Sequence, residues 1–128
     1  MNIPEELRYT SEHEWIRLEG DTAVVGITDY AQDQLGDIVF VELPEAGDST
    51  ESSGVFGTVE AVKTVSDLFS PLTGDITEVN TGLEAHPEYV NEDPYGNGWM
   101  IKIKLGNPDE YEGLLSAGGY LDLIGEEE

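Results

Sequence analysis

The side chain with the clearest chemical use is the primary amine of Lys63. It is one of only three lysines, and it stands between two β-rich runs, 55–62 and 65–70, where a tight turn would present it to solvent. In most proteins such a lysine only aids solubility. In a chain that has almost eliminated cations it needs a more specific reason. A primary amine is the natural attachment point for an acyl cofactor through an amide bond, so we predict a modified lysine at this turn.

The other motifs that could carry chemistry are incomplete. The chain has no cysteine, which excludes disulfides, thiolate nucleophiles and Cys-ligated metals. His13 and Glu14 begin like a zinc-protease helix motif, but Arg17 stands where the second histidine would be. The glycines fit neither the dinucleotide fingerprint nor the phosphate loop, and no serine nucleophile signature occurs. We therefore predict no metal site and no catalytic residue, and any redox role requires a cofactor.

The charge of the chain is strongly negative. It carries 28 Asp plus Glu against 5 Lys plus Arg, a net charge of −23, spread over both halves. Such a surface repels phosphate backbones and anionic lipids, so we expect neither nucleic acid nor membrane partners. The first residues lack the basic and apolar regions of a signal peptide, which favours a cytoplasmic protein. The excess acid suggests a halophilic cytoplasm; the alternative is charge that serves docking to basic enzyme surfaces.

The length of 128 residues fits one domain, 1–128, and the patterns are mostly those of strands. Thr28 can cap a short helix over 29–35, and Gly36 can end it. The stretch 80–97 is rich in Pro, Gly, Asn and acid, so we predict a loop with a helical turn near 87–90. The predicted strands are 14–18 and 22–27 as a hairpin, 37–43, 55–62, 65–70, 75–79 and 99–105.

The order of these strands favours an antiparallel meander or a sandwich, because 55–62, 65–70 and 75–79 follow one another through tight turns. The strand 99–105 alternates Trp, Ile, Ile and Leu against Met, Lys and Lys, a period of two. Near the C-terminus, a helix over 109–116 should end before Gly118 and Gly119, and a second short helix should cover 120–124. Together these form a C-terminal helical segment of about 109–125.

Two long motifs resemble one known family. The stretch 60–71 reads E-A-V-K-T-V-S-D-L-F-S-P, and 27–39 reads I-T-D-Y-A-Q-D-Q-L-G-D-I-V. Both are similar to the H proteins of the glycine cleavage system, and the resemblance continues through 78–83, 94–96, 98–102 and 114–117. It therefore covers nearly the whole chain.

The resemblance implies a mainly β fold, a barrel-sandwich hybrid of two antiparallel sheets with short helices, with a lipoyl hairpin at about 55–70. It implies lipoate in amide linkage on Lys63 and a non-catalytic carrier that shuttles an aminomethyl group. The implied partners are a pyridoxal-phosphate glycine dehydrogenase (decarboxylating), a tetrahydrofolate-dependent aminomethyltransferase, a dihydrolipoamide dehydrogenase and a lipoylating enzyme.

The resemblance also implies roles for individual residues. Glu60 and Gly74 match positions that help the lipoylating enzyme recognise the domain. Glu14 and Asp67 match acids that line the cleft where the loaded arm folds back, although in so acidic a chain they could also be simple surface acids. Gln34 stands where some relatives carry His, so a pH-sensitive contact of that kind is not implied here.

Three alternatives remain open. A biotinyl carrier also uses a hairpin lysine, but it usually has Met on both sides, where this chain has Val62 and Thr64. The lipoyl domains of 2-oxoacid dehydrogenases are smaller and lack the extra helices predicted here. An unmodified interaction module, or an H-like protein that relays lipoate to other enzymes, is the third; the presence of Glu60, Lys63 and Gly74 speaks against loss of the carrier role but is compatible with a relay.

Overall fold

Within the part of the chain that the structure describes, the fold is built from nine short strands and five helices. The computed structural model describes residues 2–127. The strands are β1 (Arg8–Tyr9), β2 (Glu14–Glu19), β3 (Thr22–Ile27), β4 (Ile38–Glu42), β5 (Ser49–Thr50), β6 (Val55–Ala61), β7 (Val65–Phe69), β8 (Gly74–Val79) and β9 (Ile101–Leu105). The helices are α1 (Asp29–Leu35), α2 (Gly82–Ala85), α3 (Tyr89–Glu92), α4 (Asp109–Glu112) and α5 (Ala117–Glu127).

The strands form two antiparallel sheets. One has six strands in the order β1-β2-β3-β9-β8-β5, and the other has three in the order β4-β6-β7. All neighbouring strands run antiparallel. The expectation of a mainly β sandwich of two antiparallel sheets with short helices is therefore confirmed.

The main core lies between the two sheets. Ile16, Val25 and Ile103 of the larger sheet belong to the same buried cluster as Val41 and Val59 of the smaller one. A second cluster lies under the C-terminal helix, where Tyr120 and Ile124 of α5 join Tyr9 and Trp15. Helix α5 thus covers part of the larger sheet, and apolar side chains on both sides of that sheet, such as Val24 and Val25, are removed from water.

The signals for α1 are confirmed. Thr28 is the N-cap, and its hydroxyl accepts a hydrogen bond of 3.1 Å from the Ala31 N–H. Gly36 follows the helix with φ +82°, a backbone conformation that favours glycine, and its N–H donates to the Gln32 carbonyl at 2.9 Å. The end of α1 is thereby fixed next to the start of β4.

Of the two folds that the sequence predicts, the strand order shows the sandwich and not the meander. β6 and β7 form a hairpin, but β8 leaves their sheet and pairs with β5 and β9. The turn signal after β7 is present in the sequence. The strands with which β8 pairs are set by contacts between residues far apart in the sequence, and a local pattern does not specify them.

The C-terminal helices differ from the prediction. The helix expected over 109–116 ends at Glu112, and α5 runs over Ala117–Glu127 with Gly118 and Gly119 inside it. Burial of Tyr120 and Ile124 against the larger sheet offsets the weak helix propensity of the two glycines. The short elements β1, β5 and α2 were not predicted. The alternation in 99–105 puts Met100 on the same side of the strand as the two lysines. In the structure Met100 precedes β9 and is fully buried.

Candidate functional site

Lys63 lies at the tip of the β6–β7 hairpin, as its spacing predicts. The two strands pair from Val55 opposite Phe69 to Glu60 opposite Val65. The turn closes with a 2.8 Å hydrogen bond from the Ala61 N–H to the Thr64 carbonyl. The Lys63 side chain is exposed, and its neighbour Val62 is 76% exposed, so nothing in the hairpin covers the amine.

The stem of Lys63 rests beside Gly36, at the C-terminal end of α1. A methyl group built on Gly36 would lie 3.4 Å from Lys63 Cε and 3.8 Å from Nζ. Among residues 2–127, the ion pairs involve other cations, and no carboxylate pairs with Lys63. The amine is therefore accessible and is not held by a counter-charge within this part of the chain.

Glu60 lies on the outer face of the three-stranded sheet. It stands opposite Phe40 on β4 and opposite Val65 on β7, and its side chain is exposed. Phe40 is 47% exposed and Val65 62%, so the acid lies in an apolar row close to the hairpin tip. This arrangement makes Glu60 available to a protein that approaches Lys63.

A cavity of about 260 Å³ lies between α1, the start of β2 and the edge strand β7. Its wall reaches Leu35, the residue before Gly36, and Gly36 lies beside the stem of Lys63. The structure brings three predicted residues together here. They are Glu14, Asp67 and Gln34.

Glu14 is a buried acid that lines this cavity and also a neighbouring one, which contains its carboxyl partners Thr10 and Phe69. It is only 2% exposed, and its Oε1 accepts a 2.7 Å hydrogen bond from the Thr10 hydroxyl. Burial raises the pKa of Glu14 from 4.5 to about 8, although the Thr10 hydroxyl and the Phe69 backbone partly offset this. A pKa of about 8 leaves Glu14 mostly protonated at neutral pH, and a cation beside it would favour the charged form.

Asp67 occupies a different position from Glu14. It alternates along β7 with buried Leu68, so its side chain lies on the solvent side of the strand while the residue borders the cavity. Its exposure means that water screens its charge more than that of Glu14. A second cavity beside Glu14, of about 450 Å³, includes Ser53 and Leu115 and lies away from Lys63.

Gly74 lies apart from the hairpin tip. It begins β8, beyond the end of β7 that is distant from Lys63. A Cβ there would overlap the Lys104 carbonyl oxygen and would lie 2.8 Å from Ile103 Cγ2. The local reason for glycine is therefore the close approach of β8 to β9, and the structure does not bring Gly74 together with Glu60 or Lys63.

The two histidines have structural partners. His13 Nδ1 lies 2.8 Å from the Tyr120 hydroxyl, and His86 Nδ1 lies 3.0 Å from Glu88 Oε1. Within the described part of the chain, no group of three or more His, Cys, Asp or Glu is placed to hold a metal ion.

The sequence did not reveal three residues that shape the site. Thr10 holds the Glu14 carboxyl, and Gly36, recognised only as a helix stop, supports Lys63. Asn91 of α3 bonds the chain on both sides of Asp37. An asparagine in a loop rich in turn residues gives no distinguishing signal, because its partners lie more than fifty positions away.

Comparison with known proteins assigns the family. The family model for the glycine cleavage H-protein matches residues 7–127. The chain belongs to the glycine cleavage H-protein family. It is 60% identical over 124 residues to the glycine cleavage system H protein of Bacteroides fragilis, covering 97% of this chain and 98% of that one. It is 56% identical over 126 residues to that of Staphylococcus carnosus, covering 98% of this chain and 100% of that one.

A solved structure agrees with this family assignment. The crystal structure of a glycine cleavage system H protein from Mycobacterium marinum matches with a TM-score of 0.86 at 41% identity, covering 96% of this chain and 99% of that chain. Glycine cleavage H-proteins are non-catalytic lipoyl carriers, so the prediction of a carrier and not an enzyme is confirmed. Within residues 2–127, none of the helices has the length and apolar character needed to span a membrane.

Proposed function

We propose that this chain is the lipoyl carrier of a glycine cleavage system and that Lys63 bears lipoate in amide linkage. The observation that carries the proposal is the exposed amine of Lys63 at the hairpin tip, which pairs with no carboxylate of the described residues. The other two lysines lie within β9, where Lys102 pairs with Glu78 at 3.6 Å and Lys104 forms part of the sheet. Only Lys63 combines a turn position with free access.

The residues around Lys63 fit an acyl arm that folds back on the protein. The cavity beside its stem is lined by apolar Leu35, Val59 and Leu68 as well as by acids. Apolar walls suit a hydrocarbon chain, and the acids suit a positively charged nitrogen at its end. Glu14 and Asp67 therefore attract the loaded end of the arm and limit its contact with water.

The chain supplies position and the cofactor supplies chemistry. A lipoyl group bound at Lys63 provides the redox centre and the sulfur nucleophile that a chain without cysteine lacks. The protein presents this arm in turn to glycine dehydrogenase (decarboxylating), to the tetrahydrofolate-dependent aminomethyltransferase and to dihydrolipoamide dehydrogenase. Tethering raises the effective concentration of the aminomethyl cargo at each docked enzyme.

In this proposal, Glu60 and Gly74 contribute to the recognition of the domain by the lipoylating enzyme. Glu60 is exposed near the tip and can contact that enzyme directly. Gly74 acts indirectly, by permitting the backbone approach of β8 to β9. The proposal treats 1–128 as one carrier domain that works in the cytoplasm; Met1 and Glu128 lie outside the described residues.

The experiment is peptide mass mapping of the protein purified from its native host. We expect one lipoyl adduct on the peptide that contains Lys63, with Lys102 and Lys104 unmodified. A biotinyl adduct would establish the rival carrier, and an unmodified chain would establish an interaction module. A second assay distinguishes a lipoate relay from the carrier role. The lipoylated protein is mixed with unmodified acceptor domains, and transfer of lipoate is followed by the mass of those domains.

A further inference from the structure

Asn91 ties α3 to the segment that joins α1 to β4. Its Oδ1 accepts a 2.9 Å hydrogen bond from the Ile38 N–H. Its Nδ2 donates to the Gly36 carbonyl and to Gln32 Oε1, both at 2.9 Å. The amide thus holds the chain immediately before and immediately after Asp37, and both of its donors are used.

The segment held by Asn91 in turn supports the hairpin tip. The Asp37 carbonyl accepts a 3.1 Å hydrogen bond from the Val62 N–H, the residue before Lys63. Gly36 lies beside the stem of Lys63, since a Cβ built on it would be 3.4 Å from Lys63 Cε, an ordinary van der Waals distance. Residues 36–38, which we call the seat, therefore reach the tip through one backbone bond and one side-chain contact.

We propose that Asn91 is a positioning residue for Lys63, acting through the seat to fix the height and direction at which the hairpin tip presents the amine. This inference rests on the proposed carrier role of Lys63. Val62 and Lys63 are exposed and lie at a turn, so they have little packing of their own to order them. Without Asn91, the seat loses two hydrogen bonds and keeps the Asp37–Val62 bond and the pairing of Ile38 with Ala61. The less firmly held tip then populates orientations that a lipoylating enzyme does not accept.

Asn80 offers a matched control. It is half-buried like Asn91, and its Nδ2 likewise donates two hydrogen bonds, here to the backbone carbonyls of Asn97 at 2.8 Å and Trp99 at 2.7 Å. Its Oδ1 accepts from the Gly82 N–H at 3.2 Å. It follows β8 in the other sheet and has no bond to the seat. Asn80→Ala therefore removes a comparable set of bonds away from Lys63.

The test compares amide hydrogen exchange in unmodified parent protein, Asn91→Ala and Asn80→Ala. We expect the Val62 amide to exchange about tenfold faster in Asn91→Ala. The free energy of local opening should fall by roughly the contribution of one hydrogen bond. In Asn80→Ala, exchange at Val62 stays as in the parent, and only the 80–99 region changes. Equal exchange at Val62 in all three proteins overturns the proposal.

The second measurement is the rate of enzymatic lipoylation of the same three proteins. If only a tenth of the molecules present the tip correctly, KM rises about tenfold and kcat changes little. A general structural effect would appear equally in Asn80→Ala. Faster exchange at Val62 without a change in KM also overturns the proposal.

A further variant covers the case in which Asn91→Ala does not fold. Asn91→Asp has nearly the same volume and keeps the acceptor for Ile38 while removing both donors. It should show the same faster exchange at Val62, and parent-like exchange there counts against the proposal. Failure of the carrier role looks different: the parent protein would take no lipoate at Lys63, whatever Val62 does.

Discussion

Glu14 and Asp67 border one cavity from different sheets, Glu14 as a buried residue at the start of β2 and Asp67 as an exposed residue on the edge strand β7. Glu14 is 2% exposed and is not a surface acid. Two carboxyl groups of the same kind thus have unequal surroundings. The buried one interacts more strongly with a charge that enters, while water screens the exposed one.

The first prediction concerns retention of the aminomethyl cargo. In the loaded protein, Glu14→Gln should speed the release of methylamine by roughly tenfold to a hundredfold, because a charge-assisted contact in a dry site is lost. Asp67→Asn should have a smaller effect, and the double variant should resemble Glu14→Gln. Release is followed by mass spectrometry of the loaded protein over time.

Asp75→Asn is the control for this experiment, since Asp75 is an exposed acid on β8 outside the cavity. It should release methylamine at the parent rate. Parent-like release from the double variant would remove the caging role from both residues.

The second prediction is a pH dependence of stability that arises from Glu14. Below pH 4.5 its carboxyl is protonated in both states, whereas between pH 4.5 and about 8 only the folded state keeps the proton. The free energy of unfolding contributed by Glu14 therefore falls as pH rises through this window, by at most about 1.4 kcal/mol per pH unit, and then levels off. Denaturant unfolding of parent and Glu14→Gln at several pH values measures this difference.

Asp75→Asn should keep the pH dependence of the parent, because Asp75 is exposed and is not among the groups that shift the pKa of Glu14. A difference between parent and Glu14→Gln that stays constant across the window would show that Glu14 ionises as it does in the unfolded chain.

The third prediction separates attachment from folding at Lys63. Lys63→Arg keeps the positive charge but offers no amine that the lipoylating enzyme can acylate, so lipoylation should be lost completely. The melting temperature should stay within about 1 °C of the parent, since an exposed side chain contributes little to stability. Lys104→Arg, also exposed, should be lipoylated at the normal rate. Lipoylation of Lys63→Arg at another lysine would overturn the assignment of the site.

The fourth prediction concerns the two kinds of glycine. Gly74→Ala should destabilise the fold by about 3 kcal/mol, because the new methyl group overlaps the Lys104 carbonyl and forces β8 from β9. Gly118→Ala should leave stability unchanged or raise it by up to about 1 kcal/mol, since nothing lies within 4 Å of a Cβ there and alanine favours the helix. Denaturant unfolding compares the two. Well below its melting temperature, Gly74→Ala should still be lipoylated; complete loss of lipoylation in the folded variant would instead indicate direct recognition.

The fifth prediction concerns salt. A chain with 28 acidic and 5 basic residues repels itself at low ionic strength. If the acidity is an adaptation to a halophilic cytoplasm, the melting temperature should rise steeply from low salt to molar KCl and keep rising after screening saturates. A melting temperature that is flat above about 0.15 M, where the Debye length is already about 8 Å, would reject the halophile hypothesis.

Features that depend on near neighbours can be predicted from the amino-acid sequence. The cap at Thr28, the stop at Gly36 and the turn that exposes Lys63 each need only a few consecutive residues, because capping bonds and turn conformations are local. The motif around Lys63 also carried the family resemblance.

Features that depend on distant partners become visible only when the chain is folded. Burial of Glu14, with its raised pKa, requires β2, α1 and β7 to meet, and the transfer of β8 to the larger sheet requires β9. The helix through Gly118 and Gly119 exists because the sheet beneath buries Tyr120. The link from Asn91 to the seat spans more than fifty residues. The free energies that stabilise these features come from long-range packing and desolvation, so they cannot be inferred from a short stretch of neighbouring residues.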